Sequence, residues 1–143
     1  MSTEKGATRL KGLKRLGPDP VEDQLNRVLG RLAAGDLPGQ IEVAQVDVTE
    51  ALGRRGPKGV ILAGVSQNEA AARYLAGEMA CLANTPGGGA IILGVADDGA
   101  RIGTKLDAEW VRHRIWQLTE QRLTVTVREV DLTGIRLLAL TTH

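Results

Sequence analysis

Three carboxylates have the chemistry of a hydrolytic metal site: Glu42, Asp47 and Asp97. Carboxylate oxygens are ligands that Mg²⁺ and Mn²⁺ favour, and such a metal can orient a phosphodiester and activate a water molecule. The spacing of the first pair is unfavourable, because residues five apart in a regular strand point to opposite faces and lie about 16 Å apart. Convergence needs a bulge, or a Glu42 outside the regular strand. The alternative is that Asp97 belongs to a turn and that Glu42 is solvated.

Basic side chains are the second source of chemistry, since Lys and Arg bind the phosphates of nucleic acids. The candidate cations are Arg54, Arg55 and Lys58 in one glycine-rich loop, Lys11, Lys14 and Arg15 near the amino terminus, and Arg112 and Arg114 in a predicted helix. Residues 1–17 contain five basic residues and one acidic residue, which predicts a flexible basic arm of charge +4. The alternative for each group is ordinary solvated surface charge.

The glycine run 87–89 does not predict a phosphate-binding loop. Such a loop leads from a strand into the amino terminus of a helix, whereas these glycines follow a helix and lead into a strand. We expect them to end the helix through a left-handed residue and to let the backbone approach a neighbour closely. Cys81 is the single cysteine, which excludes a disulfide and a cysteine-based zinc site, and its apolar helix face predicts a core thiol.

Composition limits the class of protein. The 143 residues include 18 basic and 17 acidic side chains, and a net charge of +1 excludes a polybasic tail protein and an acidic disordered chain. Hydrophobic residues make up 43% and Phe is absent, so the core must be aliphatic and an aromatic base-stacking surface is not expected. Neither a secretory signal nor a membrane span is visible, which predicts a cytoplasmic protein without a membrane partner.

The hydrophobic pattern indicates alternating helices and strands. Helices are predicted at about 20–34, from a Ser66 cap to about 84, and after an Asp107 cap; strands are predicted at 41–48, 90–95, 101–103, 123–130 and 135–140. The second helix is expected to bury Ala70, Tyr74, Gly77, Cys81 and Leu82, widened by Leu75 and Met79. The order predicts an α+β fold with a mixed or antiparallel sheet of about five strands and two to three helices.

Residues 81–99 resemble the signature of the Schlafen-type AlbA-like domain, in which a helix ends in Asn-Thr-x-Gly-Gly and a hydrophobic strand ends in Gly-Val-x-Asp. The residues that carry the resemblance are Asn84, Thr85, Gly87, Gly88, Gly94 and Asp97. The later sequence 102–104 is similar to the family's following strand. The resemblance covers about 36–141 and implies a single domain over 18–143 that includes the helix at 20–34 and follows the arm at 1–17.

The resemblance also implies a function. Bacterial members are described as DNA-binding domains of regulators, and vertebrate relatives include endoribonucleases with a Glu-x4-Glu-x-Lys motif and an Asp after the Gly-Val strand. Glu42, Asp47 and Asp97 match these acidic positions, with Asp in place of the second Glu, and would hold Mg²⁺ or Mn²⁺ in a nuclease. Thr49 occupies the Lys position, which removes a cation that could stabilise a scissile phosphate.

Three functions therefore remain open. The first is a DNA- or RNA-binding regulatory or accessory domain of a bacterial protein, acting in transcription regulation, with Arg54, Arg55, Lys58 and the arm on phosphates. The second is a metal-dependent endoribonuclease, which as a two-lobed clamp would need two copies of the domain and hence a homodimer. The third is a protein-interaction module that keeps only the fold.

Overall fold

The computed structural model describes residues 20–41, 45–50, 54–55, 61–62 and 64–142. The helices among them are α1 (Pro20–Ala33), α2 (Glu69–Ala83) and α3 (Ala108–Leu118), with a short 3₁₀ turn at Pro38–Gln40. The strands are β1 (Val46–Thr49), β2 (Arg54–Arg55), β3 (Ile61–Leu62), β4 (Gly89–Leu93), β5 (Thr126–Leu132) and β6 (Ile135–Thr142). No helix of this described part is long and apolar enough to cross a membrane.

The main sheet has the strand order β1-β4-β6-β5. β1 runs parallel to β4, while β4–β6 and β5–β6 are antiparallel pairs. The parallel pair is joined through the β2–β3 hairpin and α2, as a crossover connection requires. The mixed sheet confirms the predicted α+β class. The described part of this sheet has four strands, because residues 95 and 101 form a single bridge in place of the predicted short strand.

β4 is buried on both faces, as its continuous apolar run predicts. Ala90 and Ile92 pack on the side of α1, and Ile91 and Leu93 pack on the side of α2 and α3. Helices therefore cover both faces of the sheet, and β4 lies at the centre of the hydrophobic core. Each large side chain that is fully buried here stabilises the fold by about 1.5–3 kcal/mol.

α1 follows its sequence pattern closely. Val21, Leu25, Val28 and Leu32 recur on one face and are buried against the sheet. The helix ends at Ala33, one residue before the predicted end, and Gly35 then takes a positive φ of 99°. The predicted C-terminal stop at a left-handed glycine is confirmed.

α2 departs from its predicted cap and face. Asn68, and not Ser66, caps the helix, because its Oδ1 accepts a hydrogen bond from the Ala71 N–H at 3.2 Å. The buried residues are Ala71, Ala72, Leu75, Ala76 and Met79. The predicted face was wrong, because three alanines bring the helix close to the sheet and a pattern weighted by side-chain size does not detect them.

Two residues of α2 that were expected on the buried face are exposed instead. Tyr74 is 45% exposed, and Cys81 is exposed and unoxidised. The prediction of a core thiol at Cys81 is therefore wrong. Elsewhere the cap of α3 is confirmed, since the Asp107 Oδ1 accepts from the Trp110 N–H at 2.8 Å.

Candidate nucleic-acid interface

The parallel strands β1 and β4 end at one edge of the sheet. Thr49 lies beside Leu93, and its carbonyl accepts from the N–H groups of Gly94 at 2.7 Å and Val95 at 3.3 Å. We call this the exit edge and define it by residues 49–50 and 94–101. The chain that leaves β1 here is the segment that contains Arg54 and Arg55. Arg54 lies five residues after Thr49, so its Cα is within about 18 Å of this edge.

A tight turn stands at the exit edge after β4. The Ala96 N–H donates to the carbonyl of Ala100 at 2.9 Å, and the Gly99 N–H donates back to Ala96 at 2.9 Å. The Asp98 side chain accepts from the Ala100 N–H at 3.1 Å, which is typical of an Asp in a turn. Asp98 thus shapes the turn, whereas the neighbouring Asp97 is exposed at its tip.

Two glycines cross directly beneath this turn. Gly94 has a φ of +124°, and a Cβ on it would lie 2.7 Å from Leu137 Cδ2 and 3.2 Å from Gly103 Cα. The Gly103 N–H donates to the Gly94 carbonyl at 2.8 Å, and the Thr104 N–H donates to the Arg136 carbonyl at 2.9 Å. No side chain fits between these backbones. The two positions that resemble the family signature therefore set the direction in which the chain leaves the sheet.

Basic side chains also lie near the same edge. Arg101 donates to the Leu32 carbonyl at 2.8 Å and to the Thr133 hydroxyl at 2.6 Å. Lys105 is exposed and lines an open depression of about 420 Å³ together with Arg136, whose guanidinium pairs with the Glu129 carboxylate at 3.1 Å. The described part of the exit edge also contains the exposed acidic residues Glu50, Asp97 and Asp98, so the charge of Arg101 offsets part of a negative charge there.

The helical layer formed by α2 and α3 is electrically different. Arg114 donates to both carboxylate oxygens of Glu69, at 2.6 and 2.8 Å, and Arg73 approaches the same carboxylate at 3.2 Å. The hydrogen bond from Arg114 is the main cause that holds the pKa of Glu69 below its usual value, and it raises the pKa of Arg114. Arg112 lowers the pKa of Glu109 in the same way. The predicted phosphate contacts Arg112 and Arg114 are thus engaged with carboxylates.

The predicted acidic triad is only partly within the described residues. Asp47 is exposed on β1, level with Ile91, whereas Asp97 lies six residues further along the chain than Ile91. Glu42 lies outside the described residues. Within the ranges that the structure describes, no three His, Cys, Asp or Glu side chains form a group that could hold a metal ion. The described residues thus do not by themselves fit Mg²⁺ or Mn²⁺, and the triad with Glu42 stays a prediction.

The predicted basic residues are also only partly described. Arg54 and Arg55 form β2, paired with β3 through Leu62 and Ile61, where a flexible loop was expected. Lys58, Lys11, Lys14 and Arg15 lie outside the described residues. Of these six residues, the structure therefore describes only the backbone of Arg54 and Arg55.

The motif residues at the other end of β4 shape the loop between α2 and β4. Asn84 closes α2, the Thr85 hydroxyl donates to the Cys81 carbonyl at 3.2 Å, and the Gly88 N–H donates to the Thr85 carbonyl at 2.9 Å. Gly87 and Gly88 have φ values of +85° and +77°. Because α2 already ends at Asn84 in a right-handed conformation, the prediction that these glycines end the helix is wrong. The predicted close approach to a neighbour is confirmed, since a Cβ on Gly87 would lie 2.8 Å from Gln45 Nε2.

One residue that sequence reasoning missed holds this loop. The Gln45 Nε2 donates to the carbonyls of Pro86 at 3.0 Å and Gly88 at 2.9 Å, and its Oε1 accepts from Gln24 at 2.9 Å. A single glutamine forms no sequence pattern from which such a role could be recognised. The available signal was the glycine loop itself, whose carbonyls need donors from elsewhere. We call this end of the sheet the entry edge and define it by residue 45 and residues 84–89.

Comparison with known proteins gives three findings. A family model described as Schlafen, AlbA_2 matches residues 58–143. A crystal structure of the DIP2311 protein from Corynebacterium diphtheriae is similar with a TM-score of 0.63 and 37% sequence identity, covering 83% of this chain and 25% of that one. The present chain thus spans about a quarter of that protein's length. No curated protein matches it.

Proposed function

Because the chain belongs to the Schlafen AlbA_2 family, we propose that it is a nucleic-acid-binding regulatory or accessory domain that contacts phosphates at the exit edge. The observation that carries this proposal is the parallel pairing of β1 and β4. It makes the arginine-containing segment and the turn of Asp97 leave the sheet at neighbouring points. A basic segment beside a rigid turn is an arrangement suited to the backbone of DNA or RNA.

The hydrogen-bond partners of the arginines distinguish this edge from the helical layer. Arg101 keeps neutral partners near the exit edge, whereas Arg73, Arg112 and Arg114 face carboxylates on the helices. Arg54 and Arg55 would bind phosphates through their forked donors, and Lys58 with the arm cations Lys11, Lys14 and Arg15 would add contacts. Aromatic residues make up 2% of the chain, which favours backbone contacts over base stacking.

The experiment is an anisotropy titration of the full 143-residue chain with a DNA duplex and an RNA hairpin at several salt concentrations. Arg54→Ala combined with Arg55→Ala should weaken binding and reduce the slope of log affinity against log salt by about 2, one unit per lost phosphate contact. The matched control combines Arg73→Ala with Arg122→Ala, two arginines that are 66% and 82% exposed on the helical side. The control pair should leave the affinity unchanged.

Two results would overturn the proposal. An equal loss of affinity in both arginine pairs would mean that binding follows total charge and not the exit edge. Absence of binding to either nucleic acid at low salt would reject both nucleic-acid functions and favour the protein-interaction module. A role in transcription regulation depends on such binding.

A metal-dependent endoribonuclease is the second candidate, and the exposed Asp97 at the same edge favours it. Cleavage of a structured RNA would be measured with added Mg²⁺ or Mn²⁺. Asp97→Asn should abolish cleavage and leave RNA affinity intact, because it keeps the size of the side chain and removes its charge. Asp131→Asn, at the β5–β6 turn, is the control for the loss of one exposed carboxylate. No cleavage by the wild type would reject this candidate and leave the binding proposal standing.

A further inference from the structure

An open depression of about 420 Å³, which we call the Lys105 depression, lies beside the exit edge. Its lining combines residues that are apolar or lack a side chain with two cationic side chains: Ile102, Gly103, Gly134, Ile135, Lys105 and Arg136. The volume is within the range of pockets that hold a small ligand. An aliphatic floor next to positive charge suits a ligand that has a flat apolar part and an anionic part.

Hydrogen bonds hold the walls of the Lys105 depression in place. The Thr104 N–H donates to the Arg136 carbonyl at 2.9 Å, and the Arg136 guanidinium donates to the Thr104 carbonyl at 2.9 Å. The β5–β6 turn, which contributes Gly134, is held by Arg101, whose guanidinium donates to the Thr133 hydroxyl at 2.6 Å. These contacts are internal to the chain, so the depression is preformed and binding there costs little reordering of the backbone.

The positive charge of the Lys105 depression is concentrated at Lys105. Its side chain is exposed, and no carboxylate among the described residues pairs with it. Arg136 pairs with Glu129 at 3.1 Å, and the Asp131 carboxylate holds the β5–β6 turn. Both carboxylates belong to β5, whereas the segment of Lys105 lies along the other edge of β6, where Thr104 is hydrogen-bonded. The exposed carboxylates of the exit edge do not line the depression. An anion is therefore most favoured on the side of Lys105.

We propose that the Lys105 depression binds one unpaired nucleotide of a DNA or RNA strand, with its base on the aliphatic floor and its phosphate at Lys105. A bare phosphate would leave the floor uncovered, and an uncharged apolar ligand would leave Lys105 without a partner. A base within a duplex cannot reach the floor, because it is stacked and paired, whereas an unpaired base leaves the stack at little cost. The inference rests on the proposed nucleic-acid-binding function and narrows its substrate to strands that contain an unpaired nucleotide.

Three DNA hairpins with the same stem test the proposal in anisotropy titrations of the full chain at one salt concentration. The first hairpin is fully paired, the second has one bulged thymidine, and the third has an abasic residue in place of that thymidine. The wild type should bind the bulged thymidine about fivefold more tightly than either other hairpin, which is the lower end of the gain from one base contact. The abasic hairpin controls for the bend and the extra phosphate that a bulge adds.

Variants of the chain locate the bound nucleotide. Lys105→Glu should remove the preference for the bulged thymidine, because a carboxylate beside the floor repels the phosphate that must lie there. Lys105→Arg should keep the preference, since it retains the charge. Arg122→Glu is the matched control, because it makes the same change of charge at an arginine that is 82% exposed on the helical side, and it should also keep the preference.

Three results would overturn the inference. Equal affinity of the wild type for the three hairpins would reject it, while the proposed function would stand if Arg54→Ala with Arg55→Ala still lowers the affinity. A preference for the bulged thymidine that survives in Lys105→Glu would place the base elsewhere on the chain. A wild type that binds none of the hairpins at low salt would reject the inference and the proposed function together.

Discussion

The entry edge and the exit edge of the sheet are built by different means. At the entry edge, the side chain of Gln45 holds two loop carbonyls, and glycines with positive φ follow the end of α2. At the exit edge, Gly94 and Gly103 bring two backbones into direct contact without any side chain between them. The difference shows that a single run of motif residues contains glycines of two kinds. The glycines of the entry edge close a loop. The glycines of the exit edge set the direction of the segments for which we propose the nucleic-acid contacts.

The largest effect is expected at the backbone crossing. Gly94→Ala should reduce the free energy of unfolding by about 3 kcal/mol, because it combines a strained positive φ with overpacking against Leu137 and Gly103. Urea denaturation measures the change. Gly134→Ala is the matched control, since Gly134 has a φ of +87° but open space around its Cβ, and it should cost about 1 kcal/mol. Equal losses of stability in the two variants would mean that the positive φ alone, and not the close contact of the two backbones, makes Gly94 intolerant of a side chain.

A smaller effect is expected from the side chain that holds the entry edge. Gln45→Ala should lower the free energy of unfolding by about 1–2 kcal/mol, because it leaves the Pro86 and Gly88 carbonyls without this donor. Gln67→Ala, at an exposed glutamine before α2, should change the stability little. The affinity for DNA or RNA should remain that of the wild type in Gln45→Ala. A loss of affinity without a loss of stability would move the nucleic-acid interface to the entry edge.

The smallest effect is expected in the helical layer between the two edges. Glu69 has a pKa below its usual value of 4.5, chiefly through its hydrogen bond from Arg114. Its contribution to stability is therefore present above pH 4.5 and is lost as the pH falls through the lower pKa of the folded state. The wild type should have a higher melting temperature than Glu69→Gln at pH 7, and this difference should shrink in acid.

Glu109→Gln provides the comparison for that pH series. Glu109 also has a lowered pKa, but its partner Arg112 lies three residues away on the same helix. The Glu69–Arg114 pair joins α2 to α3, so Glu69→Gln should shift the melting temperature more than Glu109→Gln does. The opposite order would contradict a role for Glu69 in docking the two helices.

The sequence predicted the elements whose signals are local. The side-chain cap of Asp107, the buried repeat of α1 and the apolar run of β4 each appear in the structure because neighbouring residues determine them. The face of α2 could not be predicted, because its buried residues are mainly alanines that owe their burial to a closely packed sheet. The role of Gln45 was also hidden, since its partners lie 41 and 43 residues away.

The candidate site was predictable to a similar extent. The expectation that Asp97 belongs to a turn agrees with the structure, because turn chemistry is encoded within a few residues. That β1 lies parallel to β4, and so brings the arginine segment to the same edge as that turn, depends on long-range pairing. Residue types alone do not determine which strands become neighbours.

The outer strands of the described sheet limit how this chain can assemble. β1 has four residues and exposes Asp47, and β5 exposes Arg128, Glu129 and Asp131 along its length. Short or highly charged edge strands oppose the addition of a further strand, which protects such a sheet from growing into aggregates. A partner that binds this chain will therefore be recognised through side chains and exposed turns, while the backbone ladder stays closed to extension.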